Sequence, residues 1–399
     1  MSAAAAKKIP APQAGPSPAS RYSHAKTGIA AKRAIVSAFG SQWRTPAKDT
    51  AKQYAAPATV ARVAGALRLP GFVNAHSHTF QRALRGRAAG GDFWAWRATM
   101  LAEAERQDPD LVRADYERAF REMLAAGYTA VGEFHYLGVP EALAAVDAAA
   151  AAGIDLVLLH VAYARGGLAR FRQATVGEYL EQVEILRAAG AHVGLAPHSV
   201  RACPADWLEA IGSYGESEGL PLHVHADEQP KEVEECLAEN GCRPIELLAR
   251  VGCLTGRTTV VHATHADGPE LDLVASAGAT ICACPTTESD LGDGFLPAER
   301  IRTRAIPLCI GSDSNVRIDP LEELRELEGT ARRQALRRNV LSPGELLEIG
   351  TREGAAALGI DAWAGVEVDL GHRSLAGVER DDVRAALIAG CGADVVLAT

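Results

Sequence analysis

The sequence predicts an α/β protein of the (β/α)8 barrel type, and three observations predict it. From Pro70 to about Gly359, eight short apolar runs alternate with helical patterns, the signature of βα units around a parallel sheet. Gly127, Gly153, Gly190 and Gly219 stand just past the predicted helices, where a left-handed residue ends a helix. Every candidate metal-ligating side chain falls at the end of an apolar run, and such barrels carry their active sites at the C-terminal ends of the strands.

The elements follow in order. Strands are expected over 71–75, 129–133, 156–161, 193–196, 220–224, 258–261, 279–282 and 306–310, with helices such as 110–126, 141–152, 176–189 and 204–218 between them. Downstream, Ser342-Pro343-Gly344-Glu345 opens a helix running to about 358, and the last forty residues are short and mixed. The chain therefore divides into a basic Ala/Pro/Ser-rich leader over 1–66, a barrel over 67–360 and a C-terminal segment over 361–399. A second full domain is not supported.

Composition is that of a soluble globular enzyme, with 48% hydrophobic and 23% charged residues over 399 positions. A net charge of −9 argues against nucleic acid as a partner, because phosphate binding needs clustered positive charge. No apolar stretch is long enough to span a bilayer; the Ala-rich segment 139–164 is broken by Glu141, Asp147 and Asp155. Residues 1–91 hold 14 Lys and Arg against a single acid, Asp49. That fits an organelle-targeting leader, and equally a disordered tail or a mis-assigned gene start; a cytoplasmic enzyme is the default expectation. Eight scattered cysteines in so long a chain read as reduced, buried thiols of an intracellular protein. Cys282-Ala283-Cys284 has no second Cys pair nearby, so packing is its expected role.

The first strand ends in His76-Ser77-His78, two imidazoles on one face of an extended chain, able to grip a single transition metal. The runs ending in His223-Val224-His225, His262 and Asp313 supply further ligand-type residues. His76, His78, His225 and Asp313 form the expected ligand set, a histidine and carboxylate combination that suits Zn or Fe. His225 is preferred to His223 because it ends its strand. His262 is either a ligand or a polariser of the substrate. Asp313 could also take a proton from a metal-activated water, and Glu228, three residues past His225, could protonate a leaving group if its surroundings raise its pKa. The competing reading of Glu228 is a carboxylate at a helix N-terminus. His198 and Arg201 follow the fourth strand, and Arg97 sits among aromatics in a long loop after the first. Two arginines could hold a dicarboxylate through paired hydrogen bonds, although a loop arginine is more often a solvated surface residue.

These segments resemble the formimidoylglutamate deiminases of the amidohydrolase superfamily. The resemblance runs over roughly 68–360. It is carried by Asn74-Ala75-His76-Ser77-His78-Thr79-Phe80-Gln81-Arg82, Phe93-Trp94-Ala95-Trp96-Arg97, Glu133-Phe134-His135-Tyr136, Pro197-His198-Ser199-Val200-Arg201, His223-Val224-His225-Ala226-Asp227-Glu228-Gln229, Val261-His262-Ala263-Thr264-His265 and Gly311-Ser312-Asp313-Ser314-Asn315. It implies one Zn ion on His76, His78, His225 and Asp313, with substrate contacts from Gln81, Arg97, Tyr136, His198 and Arg201. Glu228, His262 and Asp313 would carry proton transfer and polarisation at the amidine carbon. The implied reaction is hydrolysis of N-formimino-L-glutamate, a small dicarboxylate amidine of histidine degradation, to N-formyl-L-glutamate and ammonia, and the family's members are commonly homodimers. Two other readings compete: a deaminase or hydrolase of the same superfamily acting on a heterocycle, and a metal-binding relative without turnover.

Both ends depart from the family pattern. Its members carry a small β-rich domain built from segments before and after the barrel. Here residues 1–66 show no strand series, and the run ending in Val395-Val396-Leu397-Ala398-Thr399 has no evident partner, so this domain is expected to be degenerate or incomplete.

Overall fold

The computed structural model describes residues 62–397 apart from 64, 88, 89, 91 and 92. The leader reading falls, for residues 1–61, outside the described residues. Eight parallel strands form the central sheet in sequence order: β3 (Phe72–Ser77), β4 (Tyr128–His135), β5 (Asp155–Ala162), β6 (Val193–Pro197), β7 (Leu222–Ala226), β8 (Thr258–His262), β9 (Thr280–Ala283) and β10 (Leu308–Ile310). Each expected strand is present. Two smaller strands precede them, β1 (Arg62–Val63) and β2 (Ala66–Pro70), and two follow, β11 (Gly365–Asp369) and β12 (Val396–Leu397).

The barrel strands are apolar on both faces because both are covered, by side chains inside and helices outside. Every residue of β3, β4, β7 and β8 is buried. Closure comes from backbone hydrogen bonds between the first and last strand ends. The Asp313 N–H donates to the His76 carbonyl (3.0 Å), and the His78 N–H donates to the Asp313 carbonyl (2.8 Å). Gly311 permits this approach: a Cβ there would lie 2.6 Å from the His76 oxygen. The helices end as expected, with Gly127, Gly153 and Gly219 as left-handed caps.

Three expectations are corrected. The single helix over 342–358 is two, Pro343–Ile349 and Arg352–Ala357. Its break falls at Gly350, whose carbonyl accepts from Val73 N in β3 (2.9 Å). Arg97 lies not in a loop but in the helix Phe93–Arg106. The small terminal sheet is present, with order β1-β2-β11-β12 and antiparallel pairing throughout. Val396 pairs with Val368, so the C-terminal apolar run has its partner, and Arg62, Val63 and Ala66 lie in strands rather than in a leader. β1 and β12 have two residues each, too short to leave a period in the sequence, while β2 and β11, five residues each, pair across the whole barrel sequence.

All eight cysteines are free, and all but Cys242 are buried. Cys282, Cys284 and Cys309 pack with Ala75, Val261 and Ala357 inside the barrel. No helix among the described residues is long and apolar enough to cross a membrane.

Candidate metal centre and active site

Strand alternation sends the side chains of His76, His78 and His225 into the C-terminal mouth of the barrel, where Asp313 meets them from the turn after β10. Donor atoms of these four buried residues all lie within 4.8 Å of one another. His76 Nε2 stands 3.1 Å from His225 Nε2, and Asp313 Oδ1 stands 3.3 Å from His78 Nε2 and 3.7 Å from His76 Nε2.

The ring tautomers follow from the other nitrogens. His78 Nδ1 lies 3.2 Å from the Phe134 carbonyl and His225 Nδ1 2.9 Å from the His198 carbonyl. A carbonyl only accepts, so each Nδ1 carries the proton and each Nε2 turns a lone pair toward the cluster. Burial, followed by the neighbouring imidazoles, holds His76 and His78 well below the ordinary histidine range and His225 at about 3. The three rings are therefore neutral, with lone pairs converging beside a carboxylate. That donor set fits a divalent metal ion.

The support around it is rigid. Asn74 Nδ2 donates to Ser312 Oγ (2.6 Å), Ser312 Oγ to Asn315 Oδ1 (2.6 Å), and Asn315 Nδ2 to Ser77 Oγ (3.0 Å), locking the first strand to the turn that carries Asp313. Glu133 accepts from the N–H and hydroxyl of Thr79, fixing the chain just past His78. Asp227, His262 and Asp313 all adopt positive φ (55°, 73° and 45°). Such backbone costs a non-glycine residue about 1–3 kcal/mol, and it collects here because these turns aim the functional groups.

His262 stands outside the four-residue group. Its Nδ1 lies 3.3 Å from Glu288 Oε1 and its Nε2 3.7 Å from Asp313 Oδ2, an orientation suited to polarisation. Burial alone would lower its pKa; the hydrogen bond to Glu288, with Glu228 and Asp313, outweighs burial and raises it to about 10. Burial raises Asp313 to about 7.

Glu228 is buried, with its Oε2 3.4 Å from Arg201 Nη2. Burial alone would raise its pKa, as a leaving-group acid requires, but His262, Arg201 and His225 together hold the carboxyl below its ordinary range. Glu228 is thus held ionised.

Gln81 Nε2 donates to the Tyr136 hydroxyl (3.1 Å), and Gln81 Oε1 is buried with no partner among the described residues. The Tyr136 ring lies 5.4 Å from that of His78, and the His198 ring 4.8 Å from that of His225. Arg97 and Arg201 both act electrostatically on His198 and on Tyr163, so the two arginines share one neighbourhood beside the histidines. The structure thus brings His76, His78, His225 and Asp313 together, with His262 beside Asp313 and Glu228 within electrostatic reach of His225. His223 lies deeper, its Nε2 held by the Ala357 carbonyl at 3.0 Å. Sequence reasoning missed Glu288 and Asp293, two buried acids beyond β9, and the role of Phe134, whose ring packs 4.6 Å from His225. Glu288 follows the end of an apolar run by a few residues, a spacing that could have flagged it; no pattern marks Asp293.

A profile of the amidohydrolase family matches residues 67–368, three quarters of the chain including every residue of this site. The chain belongs to the amidohydrolase family. This amidohydrolase is 39% identical over 332 residues to the formimidoylglutamate deiminase of Pseudomonas aeruginosa, covering 76% of this chain and 73% of the relative. It is 32% identical over 310 residues to a 5-methylthioadenosine/S-adenosylhomocysteine deaminase of Halobacterium salinarum, covering 75% and 70%. Among solved structures it resembles an amidohydrolase from Brucella melitensis (32% identity, TM-score 0.73, covering 82% and 84%). It also resembles an adenosine deaminase from Xanthomonas campestris with bound zinc (26% identity, TM-score 0.76, covering 83% and 78%).

Proposed function

We propose that this amidohydrolase is a zinc-dependent formimidoylglutamate deiminase, converting N-formimino-L-glutamate and water to N-formyl-L-glutamate and ammonia. The observation that carries the reading is the pair Arg97 and Arg201 beside the metal-ligand group. A substrate with two carboxylates needs two cationic anchors, whereas a neutral heterocycle offers them nothing to bind. The 39% identity to the Pseudomonas aeruginosa deiminase supports the same substrate, and the zinc in the Xanthomonas campestris structure supports the choice of ion.

His76, His78, His225 and Asp313 would hold the zinc, which when bound supplies Lewis acidity and brings the pKa of a water down to about 7. Arg97 and Arg201 grip the carboxylates, while Gln81, Tyr136 and His198 add hydrogen bonds and set the depth of the substrate. His262 Nε2 polarises the reacting centre, held in that orientation by Glu288 at its Nδ1. Glu228 and Asp313 are the two carboxylates that accept the proton of the attacking water and return it to the departing nitrogen. The lowered pKa of Glu228 keeps it ionised, the form that can take up a proton.

The test is ammonia release from N-formimino-L-glutamate by zinc-loaded protein, beside an Arg97→Ala/Arg201→Ala variant. Turnover by the wild type and a loss in kcat/KM of about 10²–10⁴-fold in the variant are expected, from about 1.5–3 kcal/mol for each charged hydrogen-bonding group. Absence of turnover at one zinc per chain would overturn the reading.

A further inference from the structure

The site holds charges of both signs. Arg97 and Arg201 act together on His198 and Tyr163. Four carboxyl groups, those of Glu228, Glu288, Asp293 and Asp313, are buried within electrostatic reach of one another, with His262 among them. Three of the four have their partners. Glu228 faces Arg201, Glu288 accepts from Cys284 N and faces His262 Nδ1, and Asp313 faces the imidazoles of His76, His78 and His262.

Asp293 differs. It is 2% exposed, and its Oδ2 is buried without a hydrogen-bond partner among the described residues. The residue is firmly placed. Its Oδ1 accepts from Gln229 Nε2, its carbonyl lies 2.7 Å from His265 Nε2, and its N–H donates to the Glu288 carbonyl (2.9 Å). Gln229 directly follows Glu228, so Asp293 is tied to the loop that carries the proton acceptor. A fixed, buried carboxylate with one oxygen unmatched is costly, and the cost is relieved by a cationic hydrogen-bond donor. The proton transfers described above make no use of it.

We propose that Asp293 is a substrate-specificity residue, its free Oδ2 pairing with the protonated amidine of the substrate. The proposal rests on the amidine reading of the site. Amidines are strong bases and carry a proton at neutral pH; their planar N–H groups meet a carboxylate as a guanidinium does. A molecule with an amidinium at one end and carboxylates at the other matches a site that holds both a buried acid and two arginines. The formyl product is a neutral amide and loses the ion pair, so the same residue separates substrate from product. Burial, then the charge of Glu228, pushes the carboxyl of Asp293 up to about 9 against the lowering effect of His262, so a further cationic partner would favour its ionised form.

The experiment separates the two ends of the substrate. Zinc-loaded full-length protein and its Asp293→Asn and Asp293→Glu variants are titrated with formamidinium, with formamide as its neutral counterpart, and with glutarate, each followed by ligand-observed NMR. Asp293→Asn is expected to weaken formamidinium at least tenfold while glutarate binds within twofold of wild type. Asp293→Glu, which keeps the charge, retains formamidinium within several-fold. Equal binding of formamidinium by wild type and Asp293→Asn overturns the proposal. Should Asp293→Asn lose glutarate as well, as a misfolded variant would, the wild-type comparison decides: a tenfold preference for formamidinium over formamide supports the assignment, and equal affinity overturns it. Asp293-dependent formamidinium binding without turnover of N-formimino-L-glutamate would sink the deiminase and leave this inference standing. Turnover with Asp293-independent binding would do the reverse.

Discussion

His78 and His225 illustrate how single residues make the site. Each engages one ring nitrogen with a backbone carbonyl, of Phe134 and of His198, and so aims the other at the shared centre. Replacing His225 with Ala removes one of four donors, and zinc content measured by elemental analysis is expected to fall from one per chain to well below half. Glu228 should behave differently, because it touches no ligand atom of that group. Glu228→Gln is expected to keep its zinc and lose roughly 10²–10⁴-fold in kcat, the range for removing a positioned proton acceptor. At this scale the four ligands were legible in the sequence, since strand alternation and strand ends alone place His76, His78, His225 and Asp313. Asp293 was not, because its burial comes from the packing of segments distant in sequence; Glu288 carried a signal only in its place just past an apolar run, inside the otherwise polar stretch Thr287-Glu288-Ser289-Asp290.

At the scale of elements, the closure of the barrel depends on how tightly β10 and its turn lie against β3. Gly311→Ala would put a Cβ 2.7 Å from His76 Cβ. Urea unfolding is expected to show a loss of about 1–3 kcal/mol, with zinc affinity falling in parallel because His76 must shift. The helix Pro320–Ala335 contributes Glu323, fully buried, which accepts from the N–H (3.0 Å) and hydroxyl (2.6 Å) of Thr286 at the start of the helix Pro285–Leu291. Burial raises its pKa from 4.5 to about 8 against the lowering effect of those bonds. The folded state therefore binds this proton more tightly than the unfolded state. The stabilisation is complete below about pH 4.5 and is lost as pH rises through about 8. Relative to a Glu323→Gln variant, wild-type stability should decline between pH 5 and 8.5, on the order of 2–4 kcal/mol. A flat difference in urea midpoints across that range would contradict it. Strand positions were legible because buried parallel strands are continuous apolar runs. The break at Gly350 was not, since its cause is a hydrogen bond from Val73, far off in the chain.

For the whole molecule, segments from both ends of the described chain meet in the small sheet. Glu367 and Val368 of β11 pair with Leu397 and Val396, Val395 is fully buried, and Asp319 accepts from Ala393 N (2.9 Å). Deleting residues 392–399 is expected to lower unfolding stability by about 2 kcal/mol or more, chiefly through the lost burial of Val395, read as a lower urea midpoint. The barrel could be inferred from eight repeated units, whereas the sheet pairs segments that flank the barrel sequence and has two-residue strands at its edges. On the proposed reading the assembled site selects a cationic amidine bearing two carboxylates, anchored by Asp293 and by Arg97 with Arg201. The most direct test is kcat/KM of the zinc-loaded protein for N-formimino-L-glutamate against 5-methylthioadenosine, assayed by ammonia release under one set of conditions. A preference of about 10³-fold or more for the formimino compound is predicted, the scale on which a site built for charged groups rejects a substrate lacking them. Equal rates, or a preference for the nucleoside, would contradict the account.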